Sequence, residues 1–274
     1  VVAGVVKGGP ADFAGLKIKD RIEKIGNEQV LPLTEQEIAM SLKGDPGTAV
    51  SIVYTPVEAQ TPLEVLLTRQ IIEVAQVRFG MADPSGLGYM ALFNFSGNTL
   101  DQVTNGLEEL EASETGLNGL VLDLRNNSGG QVEQAVGVAD LFIENGLIVS
   151  IKGRRQERSK KYSAHPSKII RSYPMVVLIN GVSASAAEIL AGALKDNKRA
   201  VIAGETSYGK GSVQTVVSLA GGYGLKYTVA KYYTPSGSPI DGIGIIPDIF
   251  IPGDHENNSS VVKRALHILK GLEN

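Results

Sequence analysis

From Leu87 to Ala203, short apolar runs alternate with segments whose apolar residues recur at helical spacing. The runs Leu87–Leu92, Leu120–Leu124, Met175–Ile179 and Ala200–Ala203 are each about one strand long, and nearly every position is apolar, so both faces need cover. Between the first two, Leu100, Val103, Leu107 and Leu110 share one helix face. Val132, Ala135, Val136 and Ala139 share another further on. This alternation predicts a buried, largely parallel sheet flanked by helices, an α/β fold. Val213–Val217 and Leu225–Tyr233 read as later strands joined through Gly221 and Gly222. A last helix is expected to turn Val262, Ala265, Leu266 and Leu269 inward.

The preceding segment is different. β-rich runs at Val1–Val6, Arg21–Ile25, Val50–Tyr54 and Leu63–Leu67 leave room for one real helix. Thr34 and Glu37 have capping-box spacing, Ile38 and Leu42 share a face, and Gly44 and Pro46 end the helix. Gly8–Leu16 holds a turn and one helical turn. Residues 1–69 thus read as a small β-rich domain and residues 70–274 as the α/β core.

A formal net charge of −3 and a pI near 5.7 argue against a nucleic-acid partner held through phosphates. Arg154, Arg155, Lys160 and Lys161 make only a loose basic stretch, read as a solvated loop. The chain has no Cys, which excludes thiol catalysis, thiolate metal sites and disulfides. No apolar run approaches the roughly 18 residues of a membrane span. The chain opens on Val1–Val6 with no leader or signal peptide, as a mature or trimmed chain would.

Chemistry concentrates between Asn180 and Gln214. Ser185 follows an apolar strand and opens an Ala-rich helix, where free N–H groups favour developing negative charge. A hydroxyl needs its proton taken, and a lysine can take it when burial favours the neutral amine. Lys210 sits between Gly209 and Gly211. Gln214 lies four positions on, which in an extended segment puts both side chains on one face. By itself, Ser185 could equally be a helix cap, and Lys210 a surface residue.

Gly204–Lys210 also matches the start of a phosphate-binding loop, G-x-x-x-x-G-K. Gly211 stands where that loop needs Ser or Thr, and the following SVQTVV is β-branched, so nucleotide binding is disfavoured. A histidine triad fits poorly: GVSAS is not G-x-S-x-G, and His165, His255 and His267 all read as solvated. Nothing suggests a metal centre or a cofactor. In Leu122–Gly130 a buried strand ends in a Gly-rich turn, so Gly129 or Gly130 could pair an N–H with that of Ala186 as an oxyanion hole.

Together these segments resemble the carboxyl-terminal processing peptidases, or tail-specific proteases. GGPADFAGLKIKDRIEKIG looks like their PDZ domain. VLDLRNNSGG, NGVSASAAEILAGALKD, AGETSYGKGSVQ and YYTPSGSPIDGIGIIPDI look like their peptidase blocks. The resemblance implies a ClpP/crotonase-like core, with Ser185 as nucleophile, Lys210 as base, Gln214 orienting the lysine, and Asp196 in a structural role near the site. It also implies non-native or precursor protein tails as substrates, docked beside the PDZ helix at Ile38 and Leu42. The expected location is extracytoplasmic: periplasm, cell envelope or an equivalent lumen. A homo-oligomer formed through terminal segments is compatible with it. The PDZ domain is expected to lack its first strand and carboxylate-binding loop, which would precede Val1. Three positions depart from the family pattern: Ala187 replaces a frequent third serine, Ser128 a frequent proline, and Ile18-Lys19-Asp20 a common Pro-Gly-Asp turn.

Overall fold

The computed structural model describes residues 1–2, 4–31, 33–59, 61–72, 76–166, 169–218, 223–252 and 258–272. These form two compact units, Val1–Ala75 and Gln76–Asn274. The joint expected at Gly221 and Gly222 lies outside the described residues, as does His255.

The first unit is an antiparallel sheet in the order β2-β1-β3-β4, made of β1 (Arg21–Ile25), β2 (Glu28–Gln29), β3 (Ala49–Thr55) and β4 (Leu63–Thr68). Helices α1 (Pro10–Phe13) and α2 (Glu35–Leu42) accompany it. Val50, Ile52 and Tyr54 point inward along β3 and meet Leu16, Ile25 and Leu67 in one core. The α2 capping box forms: Glu37 N donates to Thr34 Oγ1 at 3.3 Å, and Thr34 N to Glu37 Oε2 at 2.8 Å. Lys19 takes φ 76, a conformation that glycine holds without strain. No strand forms among the described residues of Val1–Val6. Val2 instead exchanges single backbone bonds with Asp20 and Lys19, both 2.8 Å. The break between units falls later than Arg69, whose guanidinium is bonded within the first unit to the Ser41, Leu42 and Ala49 carbonyls.

The second unit is built on a six-stranded sheet, order β14-β11-β10-β7-β6-β5. Its strands are β5 (Val77–Met81), β6 (Leu87–Leu92), β7 (Gly119–Asp123), β10 (Met175–Ile179), β11 (Val201–Gly204) and β14 (Ile249–Phe250). All neighbours are parallel except β5, which runs antiparallel to β6. Every residue of β7 and β10 is buried, as the apolar runs require. Leu120, Leu122 and Val177 face the helices α3 (Thr99–Glu111), α4 (Val132–Asp140) and α5 (Ala186–Asp196). Val121, Val176 and Leu178 face α6 (Asn258–Leu272) on the other side. The fully buried stripe of α6 is Val261, Ala265 and Leu269; Val262 and Leu266 flank it, half-buried, so the inward face is rotated slightly from the expected one.

A second, antiparallel sheet has the order β12-β13-β8-β9, from β8 (Leu147–Gly153), β9 (Lys160–Ser163), β12 (Ser212–Ser218) and β13 (Gly224–Tyr233). The sequence pattern gives no sign of the pair β8–β9. In the parallel sheet, β7, β10 and β11 are neighbours and end on the same edge, where ligands of such sheets bind. The loops leaving those three strands carry Gly130, Ser185 and Lys210.

Candidate active site

The chain leaves β10 through a tight turn tied to the neighbouring loop. Ser183 Oγ donates to the Leu124 carbonyl at 2.8 Å, and Ala184 N donates to the Asn127 carbonyl at 2.9 Å. Ser185 follows at φ 55 and ψ −113, a conformation that is strained for a residue with a side chain. Sharp strand-to-helix turns of this kind push a nucleophile out of the backbone. Ser185 is half-buried, and α5 begins at the next residue, Ala186.

The turn after β7 lies against this elbow. A Cβ placed on Gly129 would fall 2.9 Å from Ser185 Cβ and 3.0 Å from Ala186 N, so only glycine allows the approach. The sequence points to an N–H of Gly129 or Gly130, paired with that of Ala186, as the oxyanion donors. Gly129 is not free to serve, because its N–H donates to Asn127 Oδ1 at 2.9 Å. Among the described residues, the N–H groups of Gly130 and Ala186 have no partner. Those two are the donors available to a developing oxyanion.

Glu188, unremarked in the sequence, organises the rest. It is fully buried in the first turn of α5. Its Oε1 accepts from Ser207 Oγ at 2.5 Å and Gly209 N at 2.6 Å, and its Oε2 accepts from Ser185 N at 2.8 Å and Lys210 N at 2.9 Å. The loop that matched a phosphate-binding pattern does cradle an anion with its backbone N–H groups, and that anion is the protein's own carboxylate. The S-x-x-E spacing of Ser185 and Glu188 was the legible signal for it.

Lys210 differs from expectation. Its backbone is fixed by Glu188, but its side chain is exposed rather than desolvated. Among the described residues no hydrogen bond joins the side chains of Ser185, Lys210 and Gln214. The extended segment starts only at Ser212, so strand alternation does not reach back to Lys210. Gln214 is exposed on β12, where the register against β13 slips between Val213 and Gln214.

Asp196 is the last residue of α5, about 15 Å along the helix from Ser185 and not beside it. There its Oδ2 accepts from Ser236 N at 2.8 Å and anchors the turn after β13, a structural task. In the first unit, Leu42 lines an apolar cavity of about 700 Å³ with Val5, Leu16, Ile22 and Ile72. Ile38 does not line that cavity and packs, half-buried, against the core of that unit. His165 is exposed and bonded to Asp140, and His267 is exposed on α6.

Residues 86–251, which hold every group of this edge, match the model of peptidase family S41. The chain belongs to that family. Residues 1–55 match the PDZ domain. Among S41 relatives, the carboxy-terminal-processing protease of Bartonella bacilliformis is 39% identical over 244 residues, 88% of this chain and 56% of that protein. Carboxyl-terminal-processing peptidase 2, chloroplastic, of Arabidopsis thaliana is 38% identical over 259 residues, 92% of this chain and 50% of its own length. The chain thus spans about half the length of these relatives. A solved S41 structure, the photosystem II D1 C-terminal processing protease, superposes with a TM-score of 0.61 at 36% identity, over 94% of this chain and 69% of that one.

Proposed function

We propose that this chain is the PDZ and peptidase portion of a serine endopeptidase that cuts proteins near nonpolar C-termini. The observation that carries the reading is the Ser185 elbow at the start of α5, set beside the unpaired N–H groups of Gly130 and Ala186. Lys210 takes the Ser185 hydroxyl proton. The alkoxide attacks the scissile carbonyl, whose oxygen is held by Gly130 N and Ala186 N. Lys210 then gives the proton to the leaving amine, and water resolves the acyl-enzyme.

To act, the lysine amine must swing from solvent onto Ser185 Oγ and shed its water. Gln214, on the adjoining strand, orients it there. The substrate tail is bound by the first unit, at the cavity that Leu42 lines. The site of action is extracytoplasmic; three of the relatives bear the description chloroplastic. Among the described residues no helix is long and apolar enough to cross a membrane.

The test is mass spectrometry of an unfolded protein, or of a peptide with a nonpolar tail, incubated with the parent, Ser185→Ala and Lys210→Ala. Cleavage by the parent alone supports the reading. Cleavage surviving Ser185→Ala overturns it, and cleavage surviving only Lys210→Ala removes the lysine from the mechanism.

A further inference from the structure

Glu188 is a carboxylate with no exposed surface, in a helix whose other buried residues are Ala, Ile, Leu and Gly. A buried carboxylate is tolerated only when donors satisfy it. All four of its partners, Ser185 N, Ser207 Oγ, Gly209 N and Lys210 N, are donors. No lysine or arginine among the described residues pairs with it, so backbone N–H groups and the α5 N-terminus carry the compensation.

The distribution of these bonds matters more than their number. One oxygen, Oε2, accepts from the backbone of both Ser185 and Lys210, at 2.8 and 2.9 Å. The other reaches the 240–245 loop through Ser207, whose Oγ accepts from Ile245 N at 2.6 Å while Ser207 N donates to Ile245 O at 3.1 Å. The same loop grips Gly209, whose carbonyl accepts from Gly242 N at 2.9 Å. The backbone of residues 207–210 is therefore clamped from two sides.

We propose that Glu188 is the positioning residue of the reaction. Its carboxylate ties the main chain of the nucleophile to the main chain of the base and sets their separation before substrate arrives. This rests on the Ser185–Lys210 reading above. It follows that rotation of the Lys210 side chain, not movement of its loop, brings the amine to the hydroxyl. A displacement of about 1 Å between such groups costs on the order of 100-fold in rate.

The test uses the full chain as parent, Glu188→Gln, Glu188→Ala and Ser207→Ala, with Ser185→Ala as the inactive control. A carboxamide presents an N–H₂ to groups that are themselves donors. In Glu188→Gln, kcat should fall about 100-fold with KM within about twofold of the parent, while melting stays cooperative. Hydrogen exchange of residues 205–211 should quicken at least about tenfold, with β7 and β10 unchanged. Glu188→Ala should regain part of its rate in formate, and Ser185→Ala should not.

If Glu188→Gln fails to fold, Ser207→Ala carries the same test with a kcat loss of about tenfold. Near-parental kcat in a folded Glu188→Gln, a rise confined to KM, or unchanged exchange at 205–211 would each overturn the proposal. A parent that cleaves nothing sinks the serine–lysine reading; the tie is then decided by the exchange rates alone.

Discussion

Arg125 folds back on Asp123 from two residues further along the chain, with Nε 2.9 Å from Oδ1 and Nη2 2.6 Å from Oδ2. The two side chains are 8% and 6% exposed, and the Tyr89 hydroxyl donates to the same Oδ2 at 2.8 Å. The pair closes the end of β7 immediately before the turn that carries Gly130. Removing the guanidinium strands a buried carboxylate, so Arg125→Ala should lose about 3–5 kcal/mol in urea unfolding. Arg125→Lys, which cannot make both prongs, should lose less. A parental midpoint for Arg125→Ala would show that Asp123 does not need its partner.

The alkaline side of the stability profile should be set by buried phenols. Burial pushes Tyr89, Tyr173 and Tyr232 above the ordinary tyrosine range, with the carboxylates of Asp123 and Glu111 adding to the shift for the first two. The folded state therefore keeps these protons at pH values where the unfolded chain has released them. Stability should fall as pH rises past about 10, by up to about 1.4 kcal/mol per pH unit for each such group. Tyr232→Phe should flatten the slope by one group's share. Urea midpoints that stay level through about pH 11 would contradict this.

At the acid end, hydrogen bonds from Lys270 and Ser85 hold the Asp83 carboxyl down to about 2, below its ordinary 3.8. Lys270 Nζ lies 2.8 Å from Asp83 Oδ2 and ties α6 to the residues after β5. A depressed carboxyl contributes stability above its unfolded pKa and loses it as pH falls from about 4 to about 2. The lysine is half exposed, so solvent screening keeps the effect below about 1 kcal/mol. Asp83→Asn should therefore lose a few tenths of a kcal/mol at neutral pH and nothing near pH 2. An equal loss at both pH values would assign the effect to packing instead.

Gly129→Ala separates crowding from backbone strain. At φ 105 the new methyl would sit 2.8 Å from the Ala184 carbonyl oxygen and 2.9 Å from Ser185 Cβ, displacing the proposed nucleophile. Peptidase rate should fall about 100-fold, with a stability loss of about 1–3 kcal/mol. Gly237→Ala is the comparison, since Gly237 has φ 87 with open space around it. It should lose similar stability and keep its rate. Equal rates for the two variants would mean that the elbow tolerates the intrusion.

What the sequence disclosed was what periodicity and local spacing encode. Leu87–Leu92 and Met175–Ile179 are strands at the expected bounds, and Thr34 and Glu37 make the reciprocal bonds their spacing implies. What it hid depends on distance through space. Asp196 was placed near the site by the family resemblance, but the whole of α5 separates it from Ser185. The strand β8, which carries β9 on one side, gains its other partner from β13, far along the chain. Exposure of the Lys210 amine depends on where β12 begins, which composition does not fix. Glu188 lay in an apolar helix as one acidic letter, and its four donors come from two separate segments.

The glycines on either side of Lys210 have their own consequence. A Cβ on Gly209 would lie 3.1 Å from Gly244 N and 3.2 Å from Ile243 N, and one on Gly211 would collide with Asp241 N. Neither position can hold a side chain without moving the backbone of the 240–245 loop. A saturation scan read by survival would therefore score 209, 210 and 211 alike, as three consecutive intolerant positions. On the proposed mechanism, only the middle one would owe its score to an amine.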